Sequence, residues 1–157
     1  MKIFFLLNIL FCLALVAHGS KKPNIVYILA DDLGYGDLGC YGQAVIQTPH
    51  IDQLRSAGMR FTNHHSGSTV CAPSRVSFLT GKHMGSAHVR GNGSIRLRED
   101  PNDITVARLL KDAGYHTAMI GKAGTGAIVP PGHPNRKGFD YFFGQNRHGV
   151  AHYYFPR

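Results

Sequence analysis

Apolar positions along the chain fall into continuous runs and into helical repeats. The segment 24–30 is a continuous apolar run without alternation, which is typical of a parallel strand buried on both faces. The spacing of apolar residues predicts helices over 48–58 and 103–114, each of which ends at a glycine. Short strands are predicted at 59–62 and 115–120. The predicted apolar face of the first helix consists of Ile51, Leu54 and Ala57. The face of the second helix that is predicted to point inward consists of Val106, Leu109, Leu110 and Ala113. This order of strands and helices predicts an α/β fold, in which chemistry lies beyond the carboxyl ends of the strands.

The first nineteen residues have the pattern of a secretory signal peptide. Lys2 gives a positive start, residues 3–16 are apolar apart from Asn8, and residues 17–19 are suitable for cleavage. The run is short for a membrane span, and a buried N-terminal helix is the alternative. We therefore expect residues 20–157 to be exported, with no membrane span after processing. The destination would be the periplasm or the medium, or the lysosome or extracellular space of a eukaryote.

The composition is that of a folded chain with an excess of positive charge. Apolar residues make up 43% and charged residues 17%, a composition that excludes intrinsic disorder. Because there are only three cysteines, a disulfide-rich scaffold is excluded as well. The formal net charge is +8, but lysine and arginine are scattered without a run or a helical stripe, so no nucleic-acid partner is expected. The charge suits either an electropositive face for anionic substrates or an ordinary soluble surface.

Two adjacent carboxylates follow the first apolar run. Asp31 and Asp32 repel each other at the end of a predicted buried strand, so a cation or basic groups would be needed to neutralise them. Ca²⁺ and Mg²⁺ prefer such oxygen ligands. The alternative is that one aspartate caps a turn and the other is solvated.

A second candidate for chemistry is the segment 66–81, which contains Cys71. Pro73 suits the first turn of a helix, and the backbone dipole there favours negative charge. Because Arg75 adds a fixed cation, Cys71 is expected to be reactive; a buried cysteine acting as a small hydrophobe is the alternative. The predicted apolar face of this helix consists of Val76, Leu79 and Phe78. The polar stretch 83–102 that follows is expected to be a surface loop.

The residues from Cys71 to Arg75, followed by Leu79-Thr80-Gly81, resemble the C-x-P-S-R and L-T-G motif of the sulfatase family. The resemblance runs from Lys22 to the end of the chain. Its other matching segments are Pro23-Asn24-Ile25, 31–34, Gly36-Asp37, Thr48-Pro49, Ile51-Asp52, Gly114-Tyr115, Thr117 and Ile120-Gly121-Lys122. It implies the N-terminal part of an alkaline-phosphatase-like α/β sandwich, truncated in this chain, with a mainly parallel sheet flanked by helices.

The resemblance also implies roles for five residues. Asp31 and Asp32 match the aspartates that bind the active-site Ca²⁺ of the family. Cys71 matches the cysteine that is oxidised to Cα-formylglycine, which is the nucleophile and also touches the metal. Arg75 matches the arginine that steadies the formylglycine hydrate, and Lys122 matches the lysine that contacts sulfate. The implied partners are a formylglycine-generating maturation enzyme and a sulfated small molecule or sulfated glycan.

Cysteine usage and two departures from the family pattern bear on these roles. Removal of the signal peptide leaves two cysteines, Cys40 and Cys71, which in an exported protein would suggest one disulfide. Because the resemblance implies that Cys71 is oxidised to formylglycine, Cys40 is expected to be a packed free thiol. Many family members have an aromatic residue and a histidine after the Gly-Lys pair, where this chain has Ala123 and Gly124. Lys82 replaces an arginine that often follows Thr-Gly.

Two further candidates lie outside the main motifs. His148 and His152 could line a substrate pocket, with His152 favoured as the acid for the leaving group, and a surface loop of stacked aromatics is the alternative. Asn92-Gly93-Ser94 has the pattern of a glycosylation acceptor, which matters only in a eukaryotic host.

The leading functional hypothesis is an exported sulfatase that hydrolyses sulfate esters through formylglycine and Ca²⁺. One alternative is a phosphate or phosphonate monoester hydrolase of the same superfamily. Another is a non-catalytic fragment that binds sulfated glycans. Since family members run to several hundred residues, this chain of 157 residues is expected to be an incomplete catalytic domain that is inactive by itself.

Overall fold

The computed structural model describes residues 22–93, 96–125 and 131–146. The chain divides into two compact units, Met1–Gly34 and Tyr35–Arg157. The predicted signal peptide, 1–19, lies outside the described residues. No helix in the described ranges is long and apolar enough to cross a membrane.

Three α-helices and two β-strands form the regular structure of the described part. They are α1, Pro49–Ala57; α2, Cys71–Thr80; α3, Val106–Asp112; β1, Ala118–Lys122; and β2, Tyr141–Gln145. Three single 3-10 turns accompany them at Tyr35–Asp37, Gly39–Tyr41 and Pro134–Lys137. The helix predicted over 48–58 is confirmed as α1, although Ile51 and Leu54 on its apolar face are exposed.

The two strands pair in parallel, with Ala118 opposite Tyr141 and Lys122 opposite Gln145. The prediction of a parallel α/β arrangement is thus confirmed, and β1 begins three residues later than predicted and runs on to Lys122. Just before the strands, the Thr117 amide donates to the Asp140 carboxylate (2.9 Å), and the Asp140 amide donates to the Thr117 carbonyl (2.8 Å). This reciprocal pair holds the two strands in register.

Two predicted strands are not formed. The run 24–30 has no ladder, and residues 25–29 are 46–83% exposed, because no other strand lies among the described residues of the unit Met1–Gly34. A parallel strand is stable only with hydrogen-bonded neighbours and covered faces. The segment 59–62 is also irregular; its Phe61 carbonyl accepts a hydrogen bond from the Tyr41 hydroxyl (2.8 Å).

The core of the second unit forms between α2 and the segment that follows it. Ala72 and Val76 from the helix pack with Val89 and Leu97. The described residues of 83–102 form no helix or strand and most of them are exposed, which confirms the predicted surface loop. Its buried side chains Val89 and Leu97 in addition cover the helix. Phe78 is 42% exposed, contrary to its predicted place in the core, since the buried stripe of the helix runs along positions 72, 76 and 79.

Helix α3 begins later than predicted and buries a different face. Thr105 is its N-cap and its hydroxyl accepts a hydrogen bond from the Arg108 amide (3.2 Å). Val106 and Leu109, which were predicted to point inward, are exposed, and Ala107 is the buried residue. The backbone of Gly138, at φ +98°, lies directly against Ala107 and Arg108, so the small face of the helix is the one that packs.

Asp103, predicted as the helix start, is instead the centre of a buried ion-pair network. Its side chain is 1% exposed and contacts Lys82 Nζ (3.0 Å) and Arg98 Nη2 (3.1 Å). Burial raises the pKa of this carboxyl, but hydrogen bonds from Arg98 and Lys82 outweigh that effect, so the pKa lies well below its ordinary value. Lys82 thus serves as a structural cation that joins the end of α2 to the start of α3.

Asp103→Asn is expected to lower the free energy of unfolding by about 3 kcal/mol. This is the lower end for loss of a buried ion pair, because the side chains of both cations are partly exposed to solvent. Because the folded-state pKa is depressed, the carboxylate stabilises the fold above about pH 4, and this stabilisation is lost as pH falls below that value. Thermal melts of the full-length protein between pH 7 and pH 3 would show the gap between parent and variant closing on acidification. The exposed Asp112→Asn serves as control, and a gap that is constant with pH would contradict the assignment.

Candidate active site

Cys71 is the first residue of helix α2, at the end that favours negative charge. The preceding Val70 is extended (φ −126°), and its carbonyl accepts the Ser74 amide at 3.2 Å, which closes the first turn. The cysteine is half-buried and free, as is Cys40.

Lys122 reaches Cys71 from the last position of β1. Its ammonium nitrogen lies 3.3 Å from the Cys71 Sγ, although 51 positions separate the two residues in the chain. The strand continues its pairing beyond Lys122, since the Ala123 amide donates to the Gln145 carbonyl (2.9 Å). The carboxyl end of β1 therefore places a cation beside the thiol.

Arg75 completes the group from one helical turn after Cys71. Its guanidinium Nη1 donates to the backbone carbonyl of Lys122. The arginine thus ties helix α2 to the end of β1 at the residue whose side chain contacts the thiol. The structure brings together three of the six residues expected in the site, all half-buried.

The arrangement favours an anion next to Cys71. The helix N-terminus carries partial positive charge and the ammonium group of Lys122 a full one, and both act on the Cys71 side chain, while the guanidinium of Arg75 adds a third positive charge at the Lys122 carbonyl. A tetrahedral oxyanion placed there would be stabilised by charge from two elements of the fold. Partial burial strengthens these interactions relative to bulk water.

The other predicted site residues lie either in the unit Met1–Gly34 or outside the described residues. Asp31 and Asp32 belong to the unit Met1–Gly34, where Asp32 has a left-handed backbone (φ +60°) that is uncommon for a residue other than glycine. His148 and His152 lie outside the described residues. Within the described ranges, no group of three or more His, Cys, Asp or Glu side chains is placed to hold a metal ion.

Asn92 is a supporting residue that the sequence did not identify as such. Its side-chain oxygen accepts the backbone amide of Ala72 at 2.9 Å and so satisfies one of the free N–H groups of the first turn of α2. A capping side chain normally precedes its helix by a few residues, whereas this one comes 20 positions later. No local sequence pattern could have indicated it.

Asn92→Ala is expected to cost about 1 kcal/mol of stability, because an N–H of the helix that carries Cys71 loses its partner. Asn92→Asp keeps an acceptor oxygen at the same place and should retain the parental melting temperature. Urea unfolding of the full-length protein separates the two variants. Equal losses for both would show that the hydrogen bond to Ala72 is not what the asparagine contributes.

Comparison with known proteins agrees with the motifs and the geometry. The model of the sulfatase family matches residues 23–155. Human steryl-sulfatase is 43% identical over 92% of this chain and 27% of its own length, and the N-acetylgalactosamine-6-O-sulfatase of Bacteroides thetaiotaomicron is 44% identical over 80% and 27%. The chain thus spans about a quarter of the length of these relatives.

A solved structure shows the same likeness in three dimensions. The PsFucS1 sulfatase from Pseudoalteromonas sp. is 34% identical and superposes with a TM-score of 0.68 over 85% of this chain and 28% of its own. This confirms the predicted fold class, a mainly parallel sheet flanked by helices. Because the family model covers most of the chain, and the motif cysteine, arginine and lysine meet in the fold, the chain belongs to the sulfatase family.

Proposed function

We propose that the full-length protein hydrolyses sulfate esters at the cluster of Cys71, Arg75 and Lys122. The observation that carries the proposal is the 3.3 Å contact between Lys122 Nζ and Cys71 Sγ, fixed by the Arg75 bond to the Lys122 carbonyl. Family membership supports it. The site lies at the carboxyl end of a parallel strand, where α/β proteins commonly place their chemistry.

Cys71 is proposed to act after oxidation to formylglycine, in which an oxygen replaces Sγ on Cβ. Addition of water to the aldehyde would place two hydroxyl groups on Cβ. One would attack sulfur as the ester S–O bond to the alcohol breaks, and loss of the proton from the other would later expel sulfate and restore the aldehyde. Cys71 suits the role because it is free, half-buried and at a helix N-terminus, so negative charge on its side chain is favoured.

The chain's two cations are proposed to bind the sulfate group. Lys122 Nζ, next to the reactive atom, would contact a sulfate oxygen and stabilise the negative charge that spreads over the oxygens in the transition state. Arg75 would steady the Cys71 side chain and hold the end of β1 in place. His152 is proposed to protonate the leaving alcohol.

Asp31 and Asp32 are proposed as ligands of a Ca²⁺ ion. Their carboxylate oxygens are the donor type that Ca²⁺ prefers, and the left-handed backbone of Asp32 is typical of a constrained functional position. Because Ca²⁺ takes about six to eight oxygens, the two aspartates would hold it together with further ligands. Bound there, the ion would polarise the sulfate oxygens.

The substrate class is proposed to be a sulfated small molecule or a sulfated glycan. One relative is named for steryl sulfates and another for a sulfated amino sugar, so both classes occur among similar proteins. A formylglycine-generating enzyme would be the maturation partner. Export through the segment 1–19 is proposed on the sequence pattern.

Two measurements test the proposed function on the full-length protein purified from its native host. Mass spectrometry of the tryptic peptide 61–75 should show the loss of mass from exchange of sulfur for oxygen and removal of two hydrogens. Aryl sulfate should be turned over with a higher kcat/KM than aryl phosphate. An unmodified thiol would contradict the mechanism. A preference for phosphate would favour a phosphate ester hydrolase, and no turnover of either ester would favour a sulfated-glycan-binding protein.

A further inference from the structure

Gln145, the last residue of β2, lies beside Lys122 at the carboxyl edge of the sheet. The two residues are partners in the parallel register. Neighbouring strands lie about 4.8 Å apart, and successive side chains alternate between the faces of a sheet, so register partners in a parallel pair project from the same face. The amide group of Gln145 therefore lies on the same face of the sheet as the ammonium group that contacts Cys71.

Two further observations support this orientation of Gln145. Exposure follows the same order along both strands, and Lys122 and Gln145 are the half-buried residues that end them. Each is preceded by a glycine with positive φ, Gly121 at +105° and Gly144 at +147°. A Cβ atom added to Gly144 would collide with the Gly121 carbonyl, so this glycine pair lets the two backbones approach closely. The strands are thus brought together immediately before their two polar side chains.

The side chain of Gln145 is not used by the fold. It is the polar end of an otherwise aromatic and glycine-containing strand, Tyr141–Gln145. The backbone carbonyl of Gln145 accepts the Ala123 amide (2.9 Å), whereas its side-chain amide has no hydrogen-bond partner among the described residues. A glutamine amide offers a carbonyl acceptor and an NH₂ donor. Since this amide is half-buried at the edge that carries Lys122, it is available to a polar group of a bound ligand.

We propose that Gln145 is a further substrate-contacting residue, whose side-chain amide hydrogen-bonds a hydroxyl group of the leaving alcohol. The inference rests on the proposed function. In an in-line displacement, as in phosphoryl transfer, the leaving oxygen lies across the transferred group from the nucleophile. The alcohol therefore lies on the far side of the sulfate from Cys71, next to the sulfate that Lys122 flanks, where the neighbouring strand supplies Gln145. Sugars carry hydroxyl groups close to a sulfate ester and sterols do not, so this contact selects a sulfated sugar.

The test compares Gln145→Leu in the full-length protein from its native host with Gln53→Leu, a matched control at an exposed position of α1. Values of kcat and KM are measured on an aryl sulfate without hydroxyl groups and on a panel of galactose and glucosamine monosulfates. A hydrogen bond between neutral groups contributes a factor of about 2 to 10. Gln145→Leu should lower kcat/KM by that factor for the best monosaccharide sulfate, mainly through a higher KM, and leave the aryl sulfate values unchanged. Gln53→Leu should change neither.

The difference between the two substrates separates a contact from a structural role. If Gln145 only kept Lys122 in place, its loss would lower kcat for both esters to the same extent. That result, an unchanged KM for the sugar, or a parent that hydrolyses the aryl sulfate but none of the monosaccharide sulfates would overturn the inference and leave the proposed function intact. A parent that turns over neither ester would overturn both. Thermal melts confirm folding, and Gln145→Ala provides the same comparison if the leucine variant does not fold.

Discussion

Cys71→Ala is expected to abolish sulfate ester hydrolysis by the full-length protein. Alanine lacks the thiol that would be converted to the aldehyde, so the variant lacks the oxygen that would attack sulfur. Removal of a catalytic nucleophile can cost on the order of 10⁶-fold in kcat, which places residual turnover at the limit of detection. The fold should tolerate the change, because alanine is a strong helix former and Cys71 is only half-buried.

A matched control is available in the chain. Cys40 is the second free, half-buried cysteine among the described residues. It lies in the 3-10 turn Gly39–Tyr41, where its backbone amide donates to Asp52 Oδ1 (2.6 Å). Cys40→Ala keeps that backbone bond and should retain activity. Initial rates on an aryl sulfate, with thermal melts to confirm folding, separate the two variants. Turnover by folded Cys71→Ala comparable with that of the parent would exclude a covalent role for Cys71.

Elements with strong local signals were predictable, and elements defined by distant neighbours were not. Helix α1 has Pro49 at its first position and ends before Gly58, so its bounds follow from the sequence. The run 24–30 has the composition of a buried strand, but a strand also needs partners, and its unit contains none among the described residues. Strand β2 overlaps the aromatic segment 138–144, which shows no clear alternation and therefore gives no strand signal.

The same distinction holds for the active site. The spacing of Cys71 and Arg75 follows from one turn of a helix that proline and the motif already indicated. The contact of Lys122 with Cys71 depends on how β1 packs beside α2, and only the family resemblance pointed to it. Asn92 acts through a contact across 20 positions, which no periodicity encodes. The sequence therefore indicated the groups that carry charge but not those that hold them in place.

Lys122→Met is expected to lower kcat for sulfate ester hydrolysis by about 10² to 10³-fold, the usual cost of removing one group that stabilises transition-state charge. Methionine has a similar length and no charge, so the substitution removes the ammonium group next to Cys71. The backbone carbonyl that accepts Arg75 is kept, which separates the side chain of Lys122 from its structural role at the end of β1. Helix α2 and strand β1 should therefore remain linked, and the melting temperature should change little.

Lys82→Met is the control for Lys122→Met, with the opposite expected signature. Lys82 lies on the chain just after α2, and its ammonium group binds the buried Asp103 (3.0 Å). Its loss should lower the melting temperature, because Arg98 is then the one cationic partner of the carboxylate among the described residues. It should leave kcat/KM near the parental value. Steady-state kinetics and thermal melts of both variants test the assignment. If Lys122→Met kept kcat within a few-fold of the parent, the ammonium group beside Cys71 would not be the one that stabilises the transferred sulfate.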